Sequence, residues 1–164
     1  MKIMNKNGSL DCFKSYDIRG ILGCELNEKL AFKIGYAVAK KLKAQTLVVG
    51  HDARESSPSL TKAVINGIRS YGTNVSSLGL AGTEEVYCAV AQFGFDGGIE
   101  ITASHNPINY NGMKIVKSGS QPLTVEEFLD LKTICASDGF KPSQNLGKLQ
   151  DYKKQARLSY IKKI

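Results

Sequence analysis

At 164 residues, with 42% hydrophobic and 23% charged content, the chain has the make-up of one folded domain, able to bury roughly two-thirds of its unfolded surface. No apolar run approaches the ~20 residues of a membrane-spanning helix, so no membrane partner is expected. The net charge of +7 invites a nucleic-acid reading, but residues 141–164 hold seven basic and one acidic side chains and so carry six of those charges. The remainder is balanced and shows no basic stripe interleaved with aromatics, so no nucleic-acid partner is expected either.

The first residues include lysines but no apolar stretch of the kind a secretory leader carries, and a cytoplasmic location is the expectation. Cys12, Cys24, Cys88 and Cys135 form no C-x-x-C pair, and with His51 and His105 as the sole histidines they offer no zinc-site spacing. Free thiols in a reducing compartment follow, with Cys88 and Cys135 packed in the core among apolar helix residues.

Along the chain, residues 13–20 read as a short strand running into an exposed turn at Arg19-Gly20. Asn27 caps a helix whose Leu30, Ala31, Ile34, Ala37, Val38 and Leu42 fall at helical spacing, with Lys40, Lys41 and Lys43 near its C-terminus. Residues 46–49 are a short apolar run of the sort buried on both faces of a sheet, and His51-Asp52-Ala53-Arg54 lies at its carboxyl end. Asp52 and Arg54 fit mutual pairing, or pairing with nearby loops, as readily as direct chemistry.

Ser57 as N-cap with Pro58 at the first helical position opens a second helix, whose buried stripe is Leu60, Val64, Ile65 and Ile68 and which Tyr71-Gly72 ends. The unit then repeats: a strand over 74–80, a helix capped by Thr83 and carrying Val86, Val90 and Phe93, and a strand over 97–103. Strands alternating with helices through short links predict an α/β fold, a three-layer α/β/α domain with a mainly parallel, mixed sheet. Residues 113–116 read as an edge strand, and Thr124-Val125-Glu126-Glu127 as a capping box opening a helix with Phe128, Leu131 and Ile134 inward. The stretch 138–149 is rich in Gly, Pro, Ser and Asn and marks a boundary. The expected division is therefore 1–147 as the first domain and 148–164 as linker and start of a second. The apolar stripe of Tyr152, Ala156, Tyr160, Ile161 and Ile164 has no evident partner in the first domain.

The chemistry concentrates after the 97–103 strand, in Thr102-Ala103-Ser104-His105-Asn106-Pro107 followed by Tyr110-Asn111-Gly112-Met113-Lys114. Pro107 fixes its own φ and pushes Asn106 out of the helical region, so Ser104 and His105 are held on a stiff turn at the carboxyl end of a strand, where open α/β sheets place their ligands. Such residues are also common turn formers that merely join elements. Lys114, folding back beyond the Asn111-Gly112 turn, brings a cation to the same edge. A loop with serine, histidine and lysine but no carboxylate suits a phosphate. There is no G-x-S-x-G, Walker or G-x-G-x-x-G motif to support a hydrolase, P-loop or dinucleotide reading.

These two segments, together with Phe13, Tyr16-Asp17-Ile18-Arg19-Gly20 and Val49-Gly50-His51-Asp52-Ala53-Arg54, resemble the α-D-phosphohexomutase family, most closely its phosphomannomutase/phosphoglucomutase branch. The resemblance covers the first of that family's four domains. It implies a phosphoserine at Ser104, with His105, Lys114 and Arg19 in catalytic company and Tyr16, Asn106, His51 and Asp52 around phosphate or substrate. It also implies Mg²⁺, with Ser104 contributing through its phosphate and the remaining ligands in a D-G-D-G-D type run that this chain lacks. The implied reaction interconverts mannose or glucose 6-phosphate and 1-phosphate through a hexose 1,6-bisphosphate. The 164 residues alone, without the C-terminal domains, are expected to fold but not to turn over. A stand-alone module that binds phosphosugars or a partner without turnover, and the phosphoglucosamine mutase branch, are the alternatives.

Overall fold

The computed structural model describes residues 10–137 and 139–164. The lysine-bearing start read against a secretory leader, and Asp138 at the head of the expected boundary segment, lie outside them. A short strand, β1 (Ile18–Ile21), is followed by α1 (Glu28–Leu42), β2 (Thr46–His51), α2 (Ser57–Ser70), β3 (Asn74–Leu80), α3 (Thr83–Phe93) and β4 (Gly97–Ile101). Next come β5 (Tyr110–Lys117), a two-residue β6 (Gln121–Pro122), α4 (Val125–Ala136), β7 (Leu149–Asp151) and α5 (Lys153–Ile161).

The helix starts follow local chemistry. Asn27 Oδ1 accepts from the Leu30 N–H, and Thr124 with Glu127 forms a reciprocal capping box. Two caps sit one residue earlier than the sequence suggests. Ser56 precedes α2, and the Ser57 hydroxyl is directed to Asp52 instead of capping. Gly82 precedes α3, and Glu85 reaches back to accept from the Gly82 N–H.

The strands form one mixed sheet in the order β1-β5-β4-β2-β3-β7, with β6 paired to β5. The central β4-β2-β3 pairings and β3-β7 are parallel, whereas β4-β5, β5-β1 and β5-β6 are antiparallel. The expectation that residues 113–116 form an edge strand is corrected, because β5 lies inside the sheet between β4 and β1. Residues 102–109 are too few for a parallel crossover, so the chain must return antiparallel beside β4. Its far side is then closed by β1. Arg19 accordingly stands within a strand, opposite Gly112, and not on an exposed turn.

Helices α1, α2 and α4 cover one face over Ile34, Val38, Leu60, Val64, Leu47, Ile99, Ile101, Phe128 and Leu131. Helices α3 and α5 cover the other over Val48, Val86, Val90, Phe95, Val116 and Ala156. This is the three-layer α/β/α arrangement. Cys135 and Cys12 are buried as core residues, while Cys88, expected in the core, is half-buried, and Cys24 is exposed. The tail finds a partner on this body: Tyr152 packs edge-on to Phe93 and Phe95, at 5.1 and 5.5 Å between ring centroids, and Ala156 is buried. Among the described residues no helix is long and apolar enough to cross a membrane.

Candidate active-serine site

The site lies at the carboxyl ends of β2 and β4. The β4 strand ends at Ile101, and the Thr102 N–H still pairs with Gly112 O of β5, so the loop that follows is anchored at its root. A Cβ at Gly112 would lie 2.0 Å from Ile18 O and 3.0 Å from Thr102 O, so the close approach of three backbones at this root requires glycine. Asn111 is fully buried beside it and donates to Ser56 and Ser57 Oγ at the start of α2, locking β5 to that helix.

Ser104 adopts φ +53°, the left-handed region that a non-glycine residue enters at a cost and that clusters at functional sites. Its N–H donates to Thr102 Oγ1 at 2.9 Å, and the Asn106 N–H closes the turn onto Ala103 O. The clamp that holds this shape is Arg54. Its Nη2 donates to Ser104 O and Asn106 O, at 3.0 and 2.6 Å, and its Nη1 to Pro107 O and Tyr110 O, at 2.9 and 3.2 Å. The guanidinium thereby ties four carbonyls of the loop to the end of β2, a task that its planar fork suits.

Asp52 completes the base of the clamp. One carboxylate oxygen accepts from Ser57 Oγ (2.6 Å) and the Arg54 N–H (3.0 Å), and the other from Thr102 Oγ1 (2.7 Å), with Arg54 Nε 3.3 Å away. Its charge is thus spent on loop architecture. His51 Nδ1 lies 2.8 Å from the Asp52 carbonyl oxygen, an acceptor, so that nitrogen carries the proton, leaving Nε2 as an acceptor in the neutral ring.

On the other flank, Arg19 reaches the loop from β1. Its Nη1 donates to Asn106 Oδ1 at 2.9 Å, while Nε and Nη2 hold the buried Asp17 carboxylate at 2.8 and 2.7 Å. Arg19 and Asn106 are thereby brought together beside Ser104. Lys114 stands on β5 opposite Glu100, with no hydrogen bond to Ser104. His105 is exposed, and Tyr16 is 80% exposed; neither has a hydrogen bond among the described residues.

The structure brings Arg19 to Asn106, two residues from Ser104, and adds Thr102, Asp17 and the leading part of Arg54, which the motifs do not single out. The available signals were the i, i+2 spacings Asp17/Arg19 and Asp52/Arg54, which put opposite charges on one side of an extended chain. Chemically, the arrangement offers a serine on a turn fixed through its backbone, with the Arg19 guanidinium and the Asn106 amide close by, a setting suited to a phosphate ester. Among the described residues no group of three or more His, Cys, Asp or Glu is placed to hold a metal ion, so these residues do not by themselves make a metal site.

Comparison with known proteins bears on the family and the fold. The family model for phosphoglucomutase/phosphomannomutase, alpha/beta/alpha domain I, matches residues 11–141. A phosphomannomutase of Klebsiella pneumoniae is 49% identical over 134 residues, covering 81% of this chain and 85% of that relative. One of Escherichia coli is 49% identical over 134 residues, but there the chain spans only 29% of the relative's length. Among solved structures, a phosphoglucomutase/phosphomannomutase family protein of Burkholderia thailandensis superposes with a TM-score of 0.80 at 30% identity, over 92% of this chain and 34% of that one.

Proposed function

The chain belongs to the phosphoglucomutase/phosphomannomutase family, as its α/β/α domain I, and from that membership we propose that it is the phosphoserine-bearing part of an enzyme interconverting hexose 6-phosphate and hexose 1-phosphate. The observation that carries the reading is Ser104, held at a left-handed φ by the Arg54 fork with Arg19 on its flank. A serine that only joined two strands would need neither. The substrates in this reading are mannose or glucose phosphates, and the location is cytoplasmic. Residues 148–164 are the passage toward further domains that supply sugar recognition.

In the proposed reaction, the Oγ–P bond of phosphorylated Ser104 breaks as a free sugar hydroxyl bonds to phosphorus. The hydroxyl's proton passes to a base, for which exposed His105 is the nearest candidate in sequence. The resulting 1,6-bisphosphate turns over and returns its other phosphoryl group to Ser104 Oγ, restoring the starting state with the phosphate moved. Phosphoryl transfer depends on positioning and neutralisation of charge. Arg54 supplies the first by holding the loop, Arg19 and Lys114 supply the second, and Asn106 contacts the phosphate as a neutral hydrogen-bonding amide. Tyr16, His51 and Asp52 serve substrate placement, Asp52 through the loop. Mg²⁺ belongs to this reading with the Ser104 phosphate as this chain's one ligand, the others lying outside these residues.

The test is mutase activity, measured by conversion of mannose 1-phosphate to mannose 6-phosphate in the presence of a hexose 1,6-bisphosphate. The protein extended by the family's remaining domains should turn over and its Ser104→Ala form should not. Phosphosugar binding with no turnover in the extended protein would instead mark a binding module and refute the enzymatic reading.

A further inference from the structure

Glu100, the last residue but one of β4, has no part in the loop's hydrogen bonding. It is 1% exposed, and its Oε2 has no hydrogen-bond partner. An unpaired buried carboxyl oxygen is destabilising, so its presence asks for a cause. The sheet makes room for it: a Cβ at Gly50, on the neighbouring β2, would lie 2.6 Å from Glu100 Oε2 and 2.8 Å from Val86 Cγ2. The carboxyl therefore occupies a slot between β2 and α3 that only a glycine leaves open.

Antiparallel pairing sets Glu100 directly opposite Lys114. Opposite residues on such a pair point to the same face, with Cβ atoms ~4.5–5.5 Å apart. That is also the face of Arg19, which pairs with Gly112 two residues before Lys114 on β5. The slot thus lies on the sheet face that also carries Lys114 and Arg19. Lys114 has no ion pair among the described residues. The groups facing Glu100 are Asp52 at the end of β2, Glu84, Glu85 and Tyr87 on α3, and Lys114, with Glu85 itself tied to Arg157. Burial foremost, then Asp52, Glu85 and Glu84, push the Glu100 carboxyl up to about 9, against a smaller opposing pull from Lys114.

We propose that Glu100 is the positioning residue for Lys114: as a neutral acid it leaves the lysine charge available to the phosphoryl group on Ser104, and once ionised it captures that charge in an internal ion pair. The proposal rests on the phosphoserine reading above. It gives the buried acid a reason to be where it is. A carboxylate in the same slot would compete with phosphate for the same ammonium, and a purely apolar side chain would leave Lys114 no alternative partner.

Two measurements test it, and they fail separately. The first follows the carboxyl carbon of Glu100 by NMR on ¹³C-Glu-labelled protein, the signal being identified by its loss in Glu100→Gln. Its midpoint should lie far above the ordinary carboxylate range and rise further in Lys114→Met, where the cation is gone. An ordinary midpoint, or the same midpoint in both proteins, overturns the pairing. The second is the pH profile of turnover in the domain-complete enzyme. An alkaline fall of about tenfold per pH unit should begin at the Glu100 midpoint and shift or vanish in Glu100→Gln. Should that variant not fold, Glu100→Met, apolar and of similar length, replaces it. An unchanged alkaline limb in the variant overturns the positioning role. NMR coupling without any turnover would overturn the mutase reading, and with it the positioning role, while leaving the ion pair intact.

Discussion

Arg54 fixes the loop by donating to four backbone carbonyls while its Nε faces Asp52. Lysine keeps the charge but offers three donors from a single point and cannot span those carbonyls. Arg54→Lys is expected to reduce turnover by two orders of magnitude or more, because phosphoryl transfer gains so much from position. It should cost only about 1–3 kcal/mol of stability in a urea melt, since the freed carbonyls lie near water. Ser104→Ala is expected to abolish turnover with an unchanged melt, as a surface-loop hydroxyl contributes little to the core. Glu100 carries the opposite signature. Its carboxyl is raised to about 9 in the fold from an unfolded value of 4.5, so the protein loses stability as pH climbs from 4.5 toward 9. The stability of Glu100→Gln relative to the parent should be near zero at pH 4, grow by up to ~1.4 kcal/mol per pH unit, and level off above pH 9. A stability difference independent of pH would contradict the burial of an unpaired acid. The thiols divide similarly: burial pushes Cys12 up to about 11 and Cys135 up to about 12. Alkylation at pH 8 should therefore label exposed Cys24 first and reach Cys12 and Cys135 only on unfolding.

Among the elements, α5 and β7 depart furthest from what the residues suggest. Leu149–Asp151 is short, exposed and not β-like in composition, yet it pairs in parallel with β3, Val75 opposite Leu149. Such a pairing depends on partners more than seventy residues away, and no local pattern announces it. The helix that follows is held by Tyr152 on Phe93 and Phe95, and by Arg157 on Glu85 at 2.8 Å and on Leu80 O at 2.9 Å. Amide exchange across 156–161 should therefore be slower than across 139–147 in a dilute monomeric sample, and Tyr152→Ala should speed it. Equal exchange in the two segments would mean that the tail is not seated. The repeated strand and helix units were legible because each carries its own period and caps: Asn27, Thr124 and the stripe of α2 say enough by themselves. The place of β5 was not, because pairing of β1 on its far side is set by topology and not by the composition of 113–116. In the same way the stiff turn that carries Ser104 was legible from Pro107, whereas the fork of Arg54 across that loop exists only once β2 and β4 stand side by side.

At the scale of the molecule, a mixed sheet presents the Ser104 loop at its carboxyl edge, where Arg19 of β1 and Arg54, just after β2, both hydrogen-bond to it, while Lys114 of β5 stands opposite Glu100. The antiparallel pairing of β1 with β5 sets Arg19 opposite Gly112, from where it reaches Asn106 of that loop. The chain spans 29% of the Escherichia coli relative, and in the proposed reading the rest of the enzyme adds the sugar and metal contacts. The described body has its own two-sided core, so the 164-residue chain should unfold in one cooperative transition while converting no mannose 1-phosphate. In the proposed reading Ser104 carries the phosphoryl group, which the mass of the domain-complete protein before and after incubation with a hexose 1,6-bisphosphate tests, followed by mapping of the modified peptide. One added phosphoryl group is expected, located on Ser104 and absent from Ser104→Ala. A phosphoryl group on Ser15, Ser57 or Ser118, or its persistence in Ser104→Ala, would contradict it.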